Sequence, residues 1–415
     1  MAEIQTLILY ASLFTSLFFE VFLLITYLEV REELNREESY LGRNILKFPT
    51  VTIIVPCFNE ERTVDNTIRS LLNLDYPKEK LSIIIVDDGS TDGTGRALLR
   101  FESHSQVSVL SKENGGKYTA LNLALEKVES ELVGCLDADS FVNSDALRKI
   151  VPFFQDMSIM AVTPSIKVFE PKSVLQYLQK IEYSWGIFLR RMLSSIGALY
   201  VTPGPFSIFR VRVFRELGGY APGHHTEDLE MALRMQKHRY KIVNSQGAHV
   251  YTIAPKSLGA LYRQRVRWTY GFLNNALDYR EMFFNKKYGH IGIFILPIAA
   301  SSIFSALFVA ISSVWHNLSR VIDALVKFQT VGFNWESSLP SFDWFFINTG
   351  VLPILALSAV MLTLIILYLS IKMADGQVRL SRGIFFYLTL YIFIVPLWLA
   401  KAVFNTIFRR QVNWR

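Results

Sequence analysis

Carboxylates in this chain recur just beyond short apolar runs, at spacings suited to a phosphorylated ligand. The run IIIVDDGSTDGT sets Asp87 and Asp88 directly after apolar residues and before a Gly-Ser turn that lets backbone approach a ligand closely. Carboxylates there accept hydrogen bonds from a base or a ribose, although the same residues also serve as plain turn chemistry. In ENGGKYTALN, Gly115 and Gly116 precede Lys117 at the start of a helical stretch. That geometry suits phosphate oxygens, with a simple helix-entry turn as the other reading. The spacing lacks the glycine and hydroxyl positions of a Walker loop, which disfavours a P-loop nucleotidase.

CLDADS sets Asp137 and Asp139 at the end of another apolar run, on one side because strand side chains alternate. Mg²⁺ takes one or two carboxylates and completes its shell with substrate phosphates, so the pair reads as a metal site for a diphosphate leaving group. Acidic pairs at strand ends also arise without a ligand. HHTEDLE supplies Glu227 and Asp228 before a helical stretch. One of them serves either as a general base toward an acceptor hydroxyl or as an ordinary helix N-terminal charge. His224 and His225 have no partner motif at ligand spacing and stay unassigned. In QRVRW, helical spacing brings Gln264, Arg267 and Trp268 onto one face. Arg267 is suited to grip phosphate and Trp268 to stack on a sugar ring; the alternative is an interfacial helix with snorkelling arginines and an aromatic anchor.

The elements that must position these residues follow from periodicity. Runs at 51–55, 82–86 and 132–136 read as strands, and stretches at 63–74 and 118–128 as helices, so strand and helix alternate as in a mostly parallel sheet covered by helices. Ligands of such sheets bind beyond the carboxyl ends of the strands, where the acidic residues stand. Leu175, Leu178, Ile181, Trp185, Phe188 and Met192 recur at helical spacing with Lys180, Arg190 and Arg191 elsewhere on the helix, which fits an interface helix or an ordinary core helix.

Around this α/β region lie segments long enough to cross a bilayer: 5–28, 291–315, 344–370 and 384–407. No Lys or Arg precedes the first, while Arg31, Arg36, Arg43 and Lys47 follow it, so the N-terminus is expected outside and the α/β region in the cytosol. A cleaved signal peptide would want the opposite flank charge. Glu20 interrupts the first span, either facing a bundle interior or snorkelling near a helix end. Lys286, Lys287, Lys372, Arg379 and Arg382 fall on the cytosolic side, but Arg409, Arg410 and Arg415 would then lie outside. A break at Pro396 into a re-entrant pair, or an earlier run that does not fully cross, would remove this conflict.

The 415 residues are 51% hydrophobic and 19% charged, as a soluble region joined to membrane spans requires. The net charge of +7 flanks apolar segments rather than forming one polar stripe, which points to anionic lipid and a phosphorylated ligand and away from nucleic acid. Cys57 and Cys135, each within an apolar run, read as small buried hydrophobes and exclude a disulfide scaffold. The expected divisions are a membrane helix at 1–30, a cytosolic α/β region at 49–257, an interface region carrying QRVRW at 258–288 and a membrane bundle at 289–415.

In this order, PCFNE at 56–60, DDGS, GGK, DAD, TED and QRVRW resemble the family-2 glycosyltransferases, particularly the bacterial processive synthases of β-linked polysaccharides. The resemblance covers nearly the whole chain. It implies a GT-A-type fold between transmembrane helices and an inverting transfer from a UDP-sugar, N-acetylglucosamine by overall look, to a growing polysaccharide exported through a multi-pass cell-membrane protein. By the same resemblance Asp87 and Asp88 meet the nucleotide base and Lys117 the donor. Asp139 is a direct ligand of Mg²⁺ or Mn²⁺, and Asp137 stands near the metal, ribose or diphosphate. Asp228, with Glu227 beside it, is the general base, Arg267 holds the diphosphate, and Trp268, Gln264 and Gly204 shape the acceptor site. An accessory membrane subunit is a further expected partner. The rival reading is an enzyme adding one sugar to a lipid acceptor, and a more distant one is a non-enzymatic membrane protein.

Overall fold

A computed structural model of the chain describes residues 2–40, 47–331, 350–377 and 382–410. Arg43, Arg379 and Arg415 of the charge argument lie outside these residues. Eight strands, β1 (Val51–Cys57), β2 (Leu81–Asp87), β3 (Val107–Ser111), β4 (Leu132–Cys135), β5 (Ser140–Val142), β6 (Ile159–Val168), β7 (Ile208–Arg210) and β8 (Lys241–Thr252), form one sheet. Its order is β3-β2-β1-β4-β7-β6-β8-β5. The β3-β2-β1-β4 half is parallel throughout, and β6 pairs parallel with β8, while β7 and β5 run antiparallel to their neighbours. The mostly parallel expectation holds. The three runs read as strands became β1, β2 and β4, each displaced at its ends by no more than two residues.

Among the described residues the helices that accompany the sheet are α1 (Ala2–Tyr40), α2 (Val64–Leu72), α3 (Thr94–Leu98), α4 (Lys117–Leu125), α5 (Ala146–Ile150), α6 (Val174–Ser195), α7 (Val211–Leu217), α8 (Glu227–Lys237), α9 (Leu258–Asp278), α10 (Leu296–Val331), α11 (Val351–Asp375) and α12 (Arg382–Ile407). Both faces of the parallel half are covered. In β1 and β2, Ile53, Ile83 and Ile85 pack on Val64, Ile68 and Leu71 of α2, while Ile54, Ile84 and Val86 pack with Ala120, Leu121 and Ala124 of α4. This explains why these strands read as unbroken apolar runs rather than alternating ones. Cys57 and Cys135 are free and buried in these two layers.

Among the described residues four helices are long and apolar enough to cross a membrane: Glu3–Glu33, Ile291–Thr330, Val351–Asp375 and Gly383–Ile407. Glu20 on α1 accepts a hydrogen bond from the Thr363 hydroxyl of α11 at 2.6 Å, so it faces a neighbouring helix. α12 runs unbroken through Pro396, so the re-entrant break, one of the two ways out of the charge conflict, is not formed there. Its apolar residues follow the α/β region along its length: Ile384 and Tyr387 lie with Ile181 of α6, Tyr391 and Trp398 with Val266 of α9, and the Thr406 hydroxyl accepts from Asn274 of α9 at 3.2 Å.

α6 is amphipathic in the structure and packs on two sides. It opens with a capping box between Ser173 and Gln176. Phe188 and Met192 pack on Leu23 of α1 and Ile366 of α11, while Arg191 donates to the Asn244 carbonyl of β8 at 3.0 Å. One face meets the apolar helices and another meets the sheet.

Candidate active site

The parallel register aligns the ends of β1 and β2, with Cys57 beside Asp87, and β4 ends two residues before Asp137. Three acidic turns therefore open at one edge of the sheet. In the first turn Asp87 accepts the Ser90 N–H at 2.9 Å. Gly89 takes φ 75°, and a Cβ there would meet the Asn114 nitrogen at 2.8 Å, so only glycine lets the two loops lie this close. Asp88 is buried and accepts the N–H groups of Gly115 and Gly116 at 3.1 and 2.9 Å, together with the Lys112 ammonium at 2.7 Å. The glycine N–H groups, which the sequence offered to phosphate, are thus taken by Asp88. What the loop delivers is Lys117.

Lys117 stands between two carboxylates, 2.6 Å from Asp137 and 2.8 Å from Glu227. Burial works against its charge, but Asp137 and Glu227 outweigh burial and hold the ammonium protonated well above its ordinary range. Burial alone would raise the Glu227 carboxyl, and Lys117 turns that shift downward. Asp228, next in the first turn of α8, feels Lys117 only at longer range. Burial, then the neighbouring Glu227 charge, push it up to about 6, although its oxygens accept N–H groups from Leu229 at 2.8 Å and Gly204 at 3.3 Å.

Asp139 is pushed up to about 7 by burial, then by Asp137 and Glu60. A buried carboxylate crowded by like charges is short of a cation, and that fits a divalent ion. Among the described residues no group of three or more His, Cys, Asp or Glu converges as a complete metal cage. Asp139 and Asp137 would therefore supply the protein ligands and leave the rest of the shell to ligand oxygens and water, as Mg²⁺ prefers.

Two cavities meet here. One, of about 840 Å³, is lined by Phe58, Glu60, Asp88 and the Gly115–Gly116 loop; the other, of about 440 Å³, by Asp228, Gln264, Trp268 and residues of α6. They share Lys117, Asp137, Asp139, His225 and Arg267. Helical spacing on α9 does bring Gln264, Arg267 and Trp268 to one wall. Arg267 donates to the His225 carbonyl at 3.1 Å. Arg265 turns the other way, 2.6 Å from Glu182 and over the Trp268 ring at 4.2 Å. Gly204 lines a small recess beside Glu227 and Asp228. Asp87 lines neither cavity and holds the turn instead. The unassigned His224 pairs with Asp278 at 2.8 Å.

Sequence reasoning missed Glu60, Tyr183, Tyr200 and Glu182, and read Arg190 only as one of several cations on a helix; all five line the two cavities. Glu60 stood within PCFNE, but the others come from α6 and the loop after it, where nothing in the residue types marks a site.

Residues 49–271 match the family described as "Glycosyltransferase like family 2". The chain is 30% identical over 271 residues to the poly-beta-1,6-N-acetyl-D-glucosamine synthase of Staphylococcus aureus (strain COL), covering 65% of this chain and 64% of that protein. It is 32% identical over 224 residues to the synthase of the same name from Staphylococcus epidermidis, covering 53% and 54%. The match thus spans less than two thirds of these relatives. The fold is similar to that of a mannosyltransferase, PcManGT, from Pyrobaculum calidifontis, solved with GDP-Man and Mn²⁺, at a TM-score of 0.62 and 20% identity over 99% of this chain and 100% of that one. The likeness and the sheet agree with the GT-A-type arrangement expected. A match over more than half of the chain, on a sheet edge that gathers the motif carboxylates, makes this protein a member of glycosyltransferase family 2.

Proposed function

We propose that this protein is an inverting glycosyltransferase that adds N-acetylglucosamine from a UDP-linked donor to the end of a growing β-linked polysaccharide. Residues 49–257 act on the cytosolic side, 258–288 lie at the interface, and the helices of 1–30 and 289–415 hold the protein in the cell membrane and pass the product across it. The observation that carries this reading is the meeting of two cavities at Lys117, Asp137, Asp139 and Arg267, with Asp228 on the wall of the smaller one alone. The larger cavity takes the nucleotide and the smaller one takes the acceptor.

Asp228 accepts the proton of the acceptor hydroxyl, whose oxygen forms the new bond to the anomeric carbon from the face opposite the diphosphate. The bond from that carbon to the diphosphate oxygen breaks and UDP leaves. Arg267 and Lys117 face the departing charge, and Trp268 with Gln264 seats the acceptor. Asp139 and Asp137 would hold Mg²⁺ or Mn²⁺, which supplies charge neutralisation for the leaving group when bound.

Purified protein in lipid with Mg²⁺ and single UDP-sugars tests this. UDP release with UDP-N-acetylglucosamine and long β-linked products are expected; no turnover with any donor would sink the enzyme, and products extended by one sugar would replace polymerisation with single addition.

Two further outcomes follow from the site. With Asp228 pushed up to about 6, its proton-accepting form is lost as pH falls, so kcat drops tenfold for each pH unit well below about 6 and levels off above about 7. A pH–rate profile flat down to pH 5 would contradict this. Gly204→Ala sets a Cβ 2.7 Å from the Lys117 ammonium and 3.1 Å from both Asp137 oxygens. Displacing that locked pair lowers kcat/KM by roughly 10²-fold with little change in melting temperature; unchanged kinetics would show that the loop at Gly204 gives way freely.

A further inference from the structure

Arg265 of α9 lines neither cavity, yet it touches Gln264 and Trp268, which line the smaller one. Its Nη1 donates to the side-chain oxygen of Gln264 at 2.7 Å, and its guanidinium lies over the Trp268 ring, 4.2 Å from the centroid. The other terminal nitrogen, Nη2, donates to Glu182 of α6 at 2.6 Å. The same Glu182 oxygen accepts the Tyr391 hydroxyl of α12 at 2.5 Å. Three helices therefore meet on one carboxylate.

A guanidinium can only donate, so the Gln264 amide must turn its oxygen toward Arg265, and what it has left to offer a sugar is N–H. With one face of the Trp268 ring against Arg265, the opposite face is the one left for stacking. Gln264 is half-buried and Trp268 is 37% exposed, so packing alone does not fix them. Unrestrained, both would lose rotamer freedom as an acceptor bound; side chains that are already held lose less. Arg265 is placed by charge, because a buried guanidinium needs a carboxylate and Glu182 supplies it. Tyr391 then fixes that carboxylate from a ring that is itself buried, 4.9 Å from Tyr387 and 5.5 Å from Trp398.

We propose that Tyr391, Glu182 and Arg265 are positioning residues that hold Gln264 and Trp268 in their acceptor-binding geometry, so that α12 sets the affinity of a site to which it contributes no lining residue. This rests on the reading of the Asp228 cavity as the acceptor site. Arg265 and Tyr391 stand outside that cavity, so their influence on a bound sugar passes through the residues of its wall. Neither Gln264, Trp268 nor Glu182 lines the larger cavity, so the network acts on the acceptor and not on the donor.

The test uses the full chain in lipid nanodiscs with UDP-N-acetylglucosamine and a short β-linked N-acetylglucosamine oligosaccharide as acceptor. Tyr391→Phe, which removes only the hydroxyl, is expected to raise KM for the oligosaccharide about threefold. Arg265→Lys, which keeps the charge and loses the fork and the flat face, raises it about tenfold, while KM for the donor stays within about twofold in both. In a chain carrying Gln264→Ala and Trp268→Ala the network has nothing left to hold. Adding Tyr391→Phe or Arg265→Lys there lowers kcat/KM for the oligosaccharide by less than about twofold. A loss that persists in full on that background overturns the proposal and makes Glu182 itself the acceptor contact. Equal rises in both KM values with a lower melting temperature would show a network that serves only the fold. Unchanged kinetics in both single variants would show that Gln264 and Trp268 are held without it. A wild type that releases UDP and extends no oligosaccharide would remove the acceptor reading on which the proposal stands, whereas no UDP release from any donor counts against the function itself.

Discussion

Asp228→Asn lowers kcat by about 10³-fold while UDP-sugar affinity stays within about threefold of the wild type. The substitution keeps shape and removes only the capacity to take a proton. An asparagine oxygen still accepts the Leu229 N–H now at 2.8 Å, and what is lost is the longer contact from Gly204 at 3.3 Å. The folded protein loses little, because burial and the Glu227 charge already disfavour the ionised form of Asp228. If Asp228 were only a helix N-terminal charge, the same change would cost about 0.3–1 kcal/mol of stability and leave the rate alone. Measuring UDP release beside donor binding by calorimetry separates the two roles, and an unaltered kcat would remove Asp228 from the chemistry.

Lys117→Met carries the second large effect, on stability and donor binding together. Lys117 neutralises Glu227, which is 5% exposed, and Asp137 at distances of 2.8 and 2.6 Å. Removing the ammonium leaves Glu227 buried beside Asp228 with only the more distant Arg267 to oppose its charge, a loss of about 3 kcal/mol. Donor affinity falls with it, because the lysine lines both cavities. The double variant Lys117→Met, Glu227→Gln removes the more deeply buried of the two orphaned charges, leaving only the partly exposed Asp137, and is expected to regain most of the melting temperature and none of the donor affinity. A single variant that melts with the wild type would mean that the pair contributes nothing to the fold. A double variant that binds donor normally would take Lys117 out of the donor site.

Much of the site was legible because local rules place it. A carboxylate after an apolar parallel strand must emerge at the ligand edge, which located Asp137 and Asp139, and the three- and four-residue spacing of Gln264, Arg267 and Trp268 fixed their common wall. What stayed hidden depends on partners far along the chain. Asp88 is the same residue type whether it faces a ribose or takes the N–H groups of Gly115 and Gly116, and only the packing of two loops decides. The group around Glu182 draws Arg265 from 83 residues away and Tyr391 from 209. Pro396 marks a break by local rules, yet α12 continues through it, held by its packing against α9. Arg190 read as one of several cations on a helix because only the folded position of α6 brings it to the cavity wall.

The packing of α6 and α9 against the apolar helices has a bearing on modularity. Ile181, Phe188 and Met192 of α6 and Val266 of α9 lie in clusters they share with Leu23, Ile366, Leu367, Ile371, Tyr391 and Trp398. The same two helices carry Arg190, Arg267 and Trp268 into the cavities. A fragment cut to residues 49–288 would keep every motif carboxylate and yet bare an apolar patch on the very helices that shape its acceptor wall. Among the described residues the sheet and the long apolar helices are therefore not a head on a removable anchor; they share one wall, so a cut between them exposes the helices that carry the site.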